Sequence, residues 1–349
     1  MYLLRNTYYP SLIIQNGYCS RNIPSVESYK AVYDRRIAAK HSGDKSTANA
    51  LKLVLNTTYG GTLSAFNDLY DPLKARSVCI SGQLYLLELA NHLLQAIPGL
   101  KIPALNTDGI MCEFDDNQYE AVGEIINEWQ ARTGFNLEED KIETYIAKDV
   151  NSFVEIQEGG KLKVKGGYLV RGVLTNGNID FTQLGLPPWE NMGGGAFTLN
   201  NNAVIVSKAV IDYLAWGTPV EETINTCDNV FAFQIIAKSW AKCGNAVHEQ
   251  SGWKCQVQRV NRVYATDRYE FGTLYQWDPD TENYRKISGI PEHCIVDNSA
   301  CLGIEAVDKD WYIRLAKRYI NDFLGIKPRK NAAVTRKINR MKKGILDML

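Results

Sequence analysis

Asp108 stands in the run Asn106-Thr107-Asp108-Gly109 between two apolar stretches. A tight turn there would hold one carboxylate on a rigid hairpin and aim it outward, which suits a ligand of a divalent metal ion. Asp-Gly is also the commonest turn dipeptide, and turn formation by itself accounts for the pair. A second set of residues carries positive charge. Arg36 and Lys40 lie one helical turn apart, and Lys52-x-x-x-Asn56-x-x-Tyr59-Gly60 follows, with a period that puts Lys52, Asn56 and Tyr59 on one helix face. A triphosphate needs several cationic partners, and arginine is suited to bidentate contact with it. Two solvated helix faces would carry the same residues. No acidic residue lies between Lys45 and Ala65 to pair with Lys52, which favours an external anion.

These residues need elements to hold them. Tyr2 to Gln15 reads as a strand that turns at Tyr9-Pro10-Ser11 and continues as a short apolar segment. Apolar residues at helical spacing predict a helix from about Ser25 to Lys40, and a second from Lys45 to about Tyr59 that stops at Gly60-Gly61. The two form an αα-hairpin around His41-Ser42-Gly43-Asp44. A Leu-rich helix follows from about Arg76 to Ala96, then two short strands, Lys101 to Phe114, around the Asp108 turn. Gln118 to Gly134 reads as amphipathic helix. Glu143–Glu155 and Lys161–Val170 read as strands paired across Glu158-Gly159-Gly160. Gly-rich Leu184 to Gly195 is the best boundary, with helices expected beyond it near 202–215, 219–238 and 309–324 and a strand-rich section at 264–287. Helix and antiparallel strand alternate without βαβ regularity, so the expected class is α+β.

Composition narrows the function classes. The 349 residues can build about two or three packed units. Lys plus Arg and Asp plus Glu are equal at 39 each, so any surface for a polyanion must be a local patch. One such patch is the run from Lys327 to Lys343, which holds Lys327, Arg329, Lys330, Arg336, Lys337, Arg340, Lys342 and Lys343 and no acidic residue; a solvated basic tail has the same composition. The 8 cysteines contain no C-x-x-C pair, which argues against zinc knuckles and a secreted disulfide framework and for reduced thiols in a cytoplasm. No apolar run approaches the roughly 18 residues needed to span a bilayer, so a cytoplasmic protein with no membrane partner is expected.

Taken in order and spacing, three motifs resemble those of the family B DNA polymerases, especially the viral and organellar branch with its phage-like members. The resemblance covers at least Tyr8 to Arg171. Tyr8-Tyr9-Pro10-Ser11-Leu12 is similar to the first polymerase motif, Lys52 to Gly60 to the second, and Leu105-Asn106-Thr107-Asp108-Gly109 to the third. The resemblance implies template-directed DNA synthesis from dNTPs in phage or plasmid replication, on a right-hand fold with an antiparallel palm, short helical-hairpin fingers and a mixed α/β thumb. By position Tyr9 inherits the role of the sugar gate that excludes ribonucleotides, and Lys52 and Asn56 belong to the triphosphate surface. Tyr59 and Gly60 belong to the nascent base pair, while Arg36 and Lys40 match the other cationic pair of the fingers. Asp108 is the family's metal ligand, Lys52 a catalytic phosphate contact, and Asp140 falls where the family often keeps another acid near two Mg²⁺ ions. Lys148-x-x-Asn151-x-Phe153 and Lys163-x-Lys165-Gly166 are similar to the stretch that holds the primer end. Phosphates there need cations, and a ring can pack on sugar or base; a plain hairpin with exposed lysines has the same pattern.

The third motif has Asn106 in place of its first Asp. A larger departure is Leu4, which stands where the family has its first-motif Asp; no carboxylate precedes Glu27. Transfer through two metal ions needs ligands that bridge both, and leucine offers no lone pair. Reduced metal affinity and reduced transfer are therefore expected for the chain alone. The resemblance implies palm segments at 1–18 and 61–183, fingers at 19–60, and thumb with the basic segment at 184–349. It also implies the C-terminal part of a longer polymerase, without N-terminal and exonuclease domains, working with a separate polypeptide or reduced to a DNA-binding remnant. The stretch from Ser11 to Lys52 is too short for the insertion of protein-primed relatives. A palm-type RNA polymerase or reverse transcriptase is a weaker alternative that a gate at Tyr9 argues against.

Overall fold

The computed structural model describes the backbone of residues 2–5 and residues 8–23, 25–106, 109–166, 202–299 and 301–326. Asp108, the 184–195 boundary and the basic run from Lys327 to Lys343 lie outside the described residues. The chain forms two compact units, residues 1–143 and 144–349. Both mix helices with antiparallel strands, as the α+β expectation requires.

In unit 1, strand β1 (Tyr2–Arg5) leads into helix α1 (Tyr8–Gln15). The strand expected through Tyr9-Pro10-Ser11 is thus a helix. Pro10 sits in its first turn, where the missing N–H would have had no intrahelical partner, so proline costs nothing there. Helix α2 (Val26–His41) is capped by Ser25, whose hydroxyl accepts from the Glu27 amide at 3.1 Å. Helix α3 (Lys45–Leu63) is capped by Asp44, which accepts from the Thr47 amide at 3.0 Å. It runs through Gly60 and Gly61 instead of stopping there. Gly61 is buried, and a Cβ on it would meet the Asn67 side chain at 3.1 Å, so close packing explains this glycine better than helix termination does.

Helix α4 (Pro72–Ala96) begins with Pro72 at its first position and Asp71 as cap. Arg21 grips Asp71 as a fork, Nε to Oδ2 at 2.8 Å and Nη2 to Oδ1 at 2.9 Å, and this holds the carboxyl well below the usual carboxylate range. Strands β2 (Lys101–Leu105) and β3 (Gly109–Glu113) make the expected hairpin, closed by the Asn106 amide donating to the Gly109 carbonyl at 2.8 Å. Helix α5 (Tyr119–Thr133) ends at Gly134, whose φ of +72° is the left-handed conformation that glycine adopts without strain. Strand β4 (Glu138–Asp149) closes the unit's sheet, whose order is β2-β3-β1-β4. Tyr8, Leu12, Leu86, Leu89, Trp129 and Phe135 are buried together in its core.

In unit 2 the end of β4 is followed by β5 (Ser152–Gln157) and β6 (Lys161–Lys165), and the pairing across Glu158-Gly159-Gly160 is as expected, but the single strand expected from Glu143 to Glu155 is two, β4 and β5, separated by a turn at Val150-Asn151. Helix α6 (Val204–Trp216) is buried along most of its length. The expected helix from Pro219 to Lys238 is only α7 (Val220–Asn225), followed by a 3₁₀ turn and strand β7 (Ile235–Lys238). Then come β8 (Ala246–Gln250), β9 (Trp253–Gln256), β10 (Val260–Ala265), β11 (Phe271–Asp278), β12 (Asn283–Lys286), β13 (Cys294–Val296) and helix α8 (Lys309–Phe323). They form two sheets, β13-β10-β7 and β12-β11-β8-β9. Tyr312 of α8 ties the core together, donating to the Phe233 carbonyl at 2.7 Å and accepting from the Ala265 amide at 3.1 Å. Among the described residues no helix is long and apolar enough to cross a membrane.

Candidate functional site

Helix α1 is held against α4 at a glycine. The Tyr8 hydroxyl donates to the Gly82 carbonyl at 2.7 Å, and a Cβ on Gly82 would come within 2.9 Å of Leu12 and 3.0 Å of the Tyr8 ring. That close approach fixes the next residue, Tyr9. Its ring centroid lies 4.7 Å from that of Tyr59, near the end of α3. The Cys79 thiol of α4 joins the two phenols, 2.9 Å from the Tyr59 oxygen and 3.8 Å from that of Tyr9. Burial, and then the bond to Cys79, push the Tyr59 phenol above its ordinary value, so it is neutral across the physiological range. Ser11 reaches the same hairpin, its Oγ 3.2 Å from the Tyr33 hydroxyl of α2. Residues far apart in sequence, Tyr9 of the first motif and Tyr59 of the second, are therefore neighbours. Nothing in the sequence marks Cys79, one cysteine in a Leu-rich helix.

The helical hairpin presents its cations as the spacing predicts. Lys52, Asn56 and Gly60 are exposed on α3 and Arg36 is half-exposed on α2; no ion pair engages Arg36 or Lys52 among the described residues. Lys40 differs, since its ammonium pairs with the Glu138 carboxylate at the start of β4.

Strand register organises the acidic positions. In β1, Leu4 pairs with Ile110 on one side and Glu139 on the other, and Arg5 pairs with Gly109 and Glu138. The backbone at Leu4 thus runs between the strand that leaves the Asp108 turn and the strand that carries Asp140. Asp140 is half-buried and pairs with Leu3, while Glu139, opposite Leu4, accepts the Tyr119 hydroxyl at 3.1 Å. Among the described residues no three His, Cys, Asp or Glu side chains gather as a metal-holding group; Asp108 is not one of these residues.

In unit 2 the hairpin residues divide. Lys165 and Asn151 are exposed, and the Asn151 amide donates to Asp149 at 2.8 Å in the turn from β4 to β5. Gly166 has a φ of +139°, and a Cβ there would lie 3.3 Å from the Ser152 backbone, so only glycine fits without strain. Phe153 is buried with its ring 5.4 Å from Tyr145. Lys148 pairs with Asp322 of α8, and Lys163 pairs with Glu155 at 3.0 Å. Glu155 is buried, and its other oxygen accepts from Gln157 at 2.7 Å. Lys148 and Lys163 have carboxylate partners, whereas Lys165 is exposed and forms no ion pair among the described residues.

A scan against protein-family models finds no match for this sequence, and a search of curated proteins finds none either.

Proposed function

We propose that the chain is the nucleotide- and primer-template-binding core of a DNA-directed DNA polymerase of the family B kind. In this reading unit 1 supplies palm and fingers, and the sheet-rich unit 2 supplies the rest of the palm and the thumb. The observation that carries the reading is the contact between Tyr9 and Tyr59. A gate needs a ring held rigidly where the sugar of an incoming nucleotide would sit, next to the ring that backs its base. Tyr9 and Tyr59 are locked to one another and to Cys79, at the foot of a hairpin whose Lys52 and Arg36 face solvent. Rigid support of this kind is what positional selectivity requires.

The donor set fits a two-ion Mg²⁺ centre incompletely. Asp140 lies on β4, which pairs with β1, and Asp108 immediately precedes β3 in the sequence, but position 4 of β1 is a leucine and supplies no carboxylate. The chain as it stands is therefore assigned binding of dNTP and primer-template with little transfer. Leu4 equally favours a second reading, a non-catalytic DNA-binding core or one half of a split polymerase. The gate is tested with Tyr9→Ala in a Leu4→Asp background, by comparing extension with dNTPs and with rNTPs. Loss of sugar discrimination supports the assignment. Unchanged discrimination in an active enzyme removes it.

A further inference from the structure

Helix α4 is apolar on two sides. One side, with Val78, Leu86 and Leu93, is buried in the core of unit 1. On the other, Leu73, Ile80, Leu84, Leu87 and Leu94 are between 48% and 63% exposed. Ser77 and Asn91 complete the row, which advances by four and three residues in alternation from 73 to 94. That is the period of a coiled-coil seam, and it runs about 32 Å along the helix. A surface helix turns charged and polar residues to water, whereas a helix apolar on both sides is one that is covered on both. The five side chains expose on the order of 450 Å², within the range of the largest apolar patches on monomeric proteins, which are often functional. Two such patches face to face remove about 900 Å² from water, close to the roughly 1,000 Å² of a specific interface before flanking residues are counted.

The row is complementary to itself. Read from either end it has the same order of types: apolar, polar, three apolar, polar, apolar. A second copy laid antiparallel, with a twofold axis near Leu84, sets its three central apolar residues against the same three and brings Ser77 towards Asn91. Polar residues at such positions restrict the register at some cost in affinity. Charge selects the antiparallel orientation over the parallel one. The start of α4 carries Lys74 and Arg76 with no acid in its first turn, and its last turn carries no base. Parallel copies would bring these cations and two positive helix ends side by side. Antiparallel copies put each cationic end beside the C-terminal end of the other helix, where the dipole is negative. Acidic and basic residues number 39 each, so no net charge holds two copies apart.

We infer that α4 is the interface of a twofold-symmetric dimer of this chain, formed by antiparallel packing of the seam at 73–94. The dimer goes beyond the proposed function and stands without it, because the seam shares no residue with the nucleotide surface assigned to α2 and α3.

Sedimentation equilibrium of the full chain, across about 1–100 µM, should show a monomer–dimer equilibrium. Ile80→Lys and Leu87→Glu, each alone, should weaken self-association about a hundredfold, because each dimer then buries two charges against apolar side chains. Antiparallel packing brings residue 80 of one copy beside residue 87 of the other. An equimolar mixture of the two variants should therefore regain the dimer through a Lys–Glu pair, whereas parallel packing sets like positions together and leaves the mixture apart. A chain that stays monomeric throughout overturns the inference, whatever else then covers the seam. So does a dimer that neither variant weakens, or a mixture that does not reassociate. Both positions are exposed, and urea midpoints near that of the parent show that each variant folds. If either fails to fold, hydroxyl-radical footprinting of the unaltered chain decides: reactivity at Ile80, Leu84 and Leu87 should fall as the chain is concentrated, and constant reactivity would overturn the inference.

Discussion

Replacing Lys163 with Met separates two roles that a lysine on this hairpin could have. Its ammonium lies 3.0 Å from the Glu155 carboxylate and 5.5 Å from the centroid of the Phe153 ring. The Glu155 side chain is 1% exposed and that of Lys163 35% exposed. Removing one partner of a fully buried pair costs about 3–5 kcal/mol, because the other charge stays buried without compensation. Here water reaches the lysine end and takes over part of its work, so the expected loss is smaller, about 2 kcal/mol. Pairing the change with Glu155→Gln should recover most of the loss, since the amide oxygen can still accept from Gln157 while no charge is left uncovered. Urea denaturation of the single and double variants gives the stabilities, and titration with primer-template at two salt concentrations gives the affinities. Lys163→Met should lower stability and leave affinity nearly unchanged, whereas Lys165→Met, on an exposed residue, should do the reverse. A Lys163→Met protein of parental stability but weakened DNA binding would refute this reasoning.

Further outcomes follow from the same geometry. Glu138→Gln frees Lys40 from an exposed ion pair, so stability should stay within about 0.5 kcal/mol of the parent while triphosphate affinity rises, as measured by nucleotide titration. Gly82→Ala forces a Cβ against Leu12 and Tyr8; overpacking outweighs the better helix propensity of alanine, and a net loss of about 1 kcal/mol is expected in urea denaturation. His248 is buried, with its Nε2 2.8 Å from the Cys294 carbonyl, and burial lowers its pKa in the folded state. The unfolded chain then binds the proton more readily. The stability linked to His248 is fully present above about pH 6.5 and is lost as pH falls through the folded pKa, a dependence that His248→Gln should flatten in melts across that range.

The sequence made the αα-hairpin, the Asp108 hairpin, α5 and the β5–β6 pair legible, because each couples a clear period to local punctuation such as Ser25, Asp44, Gly134 or Glu158-Gly159-Gly160. It misled where one local signal had two physical readings. Tyr8–Gln15 is rich in aromatic and β-branched residues and contains proline, all marks of an extended segment, yet a proline in the first turn is compatible with helix. Gly60-Gly61 resembles a stop, but Gly61 serves close packing. Between Pro219 and Lys238 a short helix, a 3₁₀ turn and a strand share one stretch of mixed apolar residues, which periodicity does not divide. At the site, the face of Lys52 and Asn56 was readable from helical spacing. The Cys79 link and the Lys40–Glu138 and Lys163–Glu155 pairs join segments distant in sequence or depend on burial, and no short pattern encodes either.

In the proposed reading this chain keeps a polymerase's binding surfaces but has a leucine, Leu4, where one metal-binding carboxylate would be needed. Primer extension with Mg²⁺ and dNTPs, run on the chain as it stands, on Leu4→Asp and on Asp108→Ala, tests it most directly, with DNA binding followed in parallel. All three should bind primer-template, and only Leu4→Asp should extend it efficiently. Efficient extension by the unaltered chain that is lost in Asp108→Ala would contradict the role given to Leu4, and a chain that neither binds nor extends in any form would contradict the polymerase reading itself.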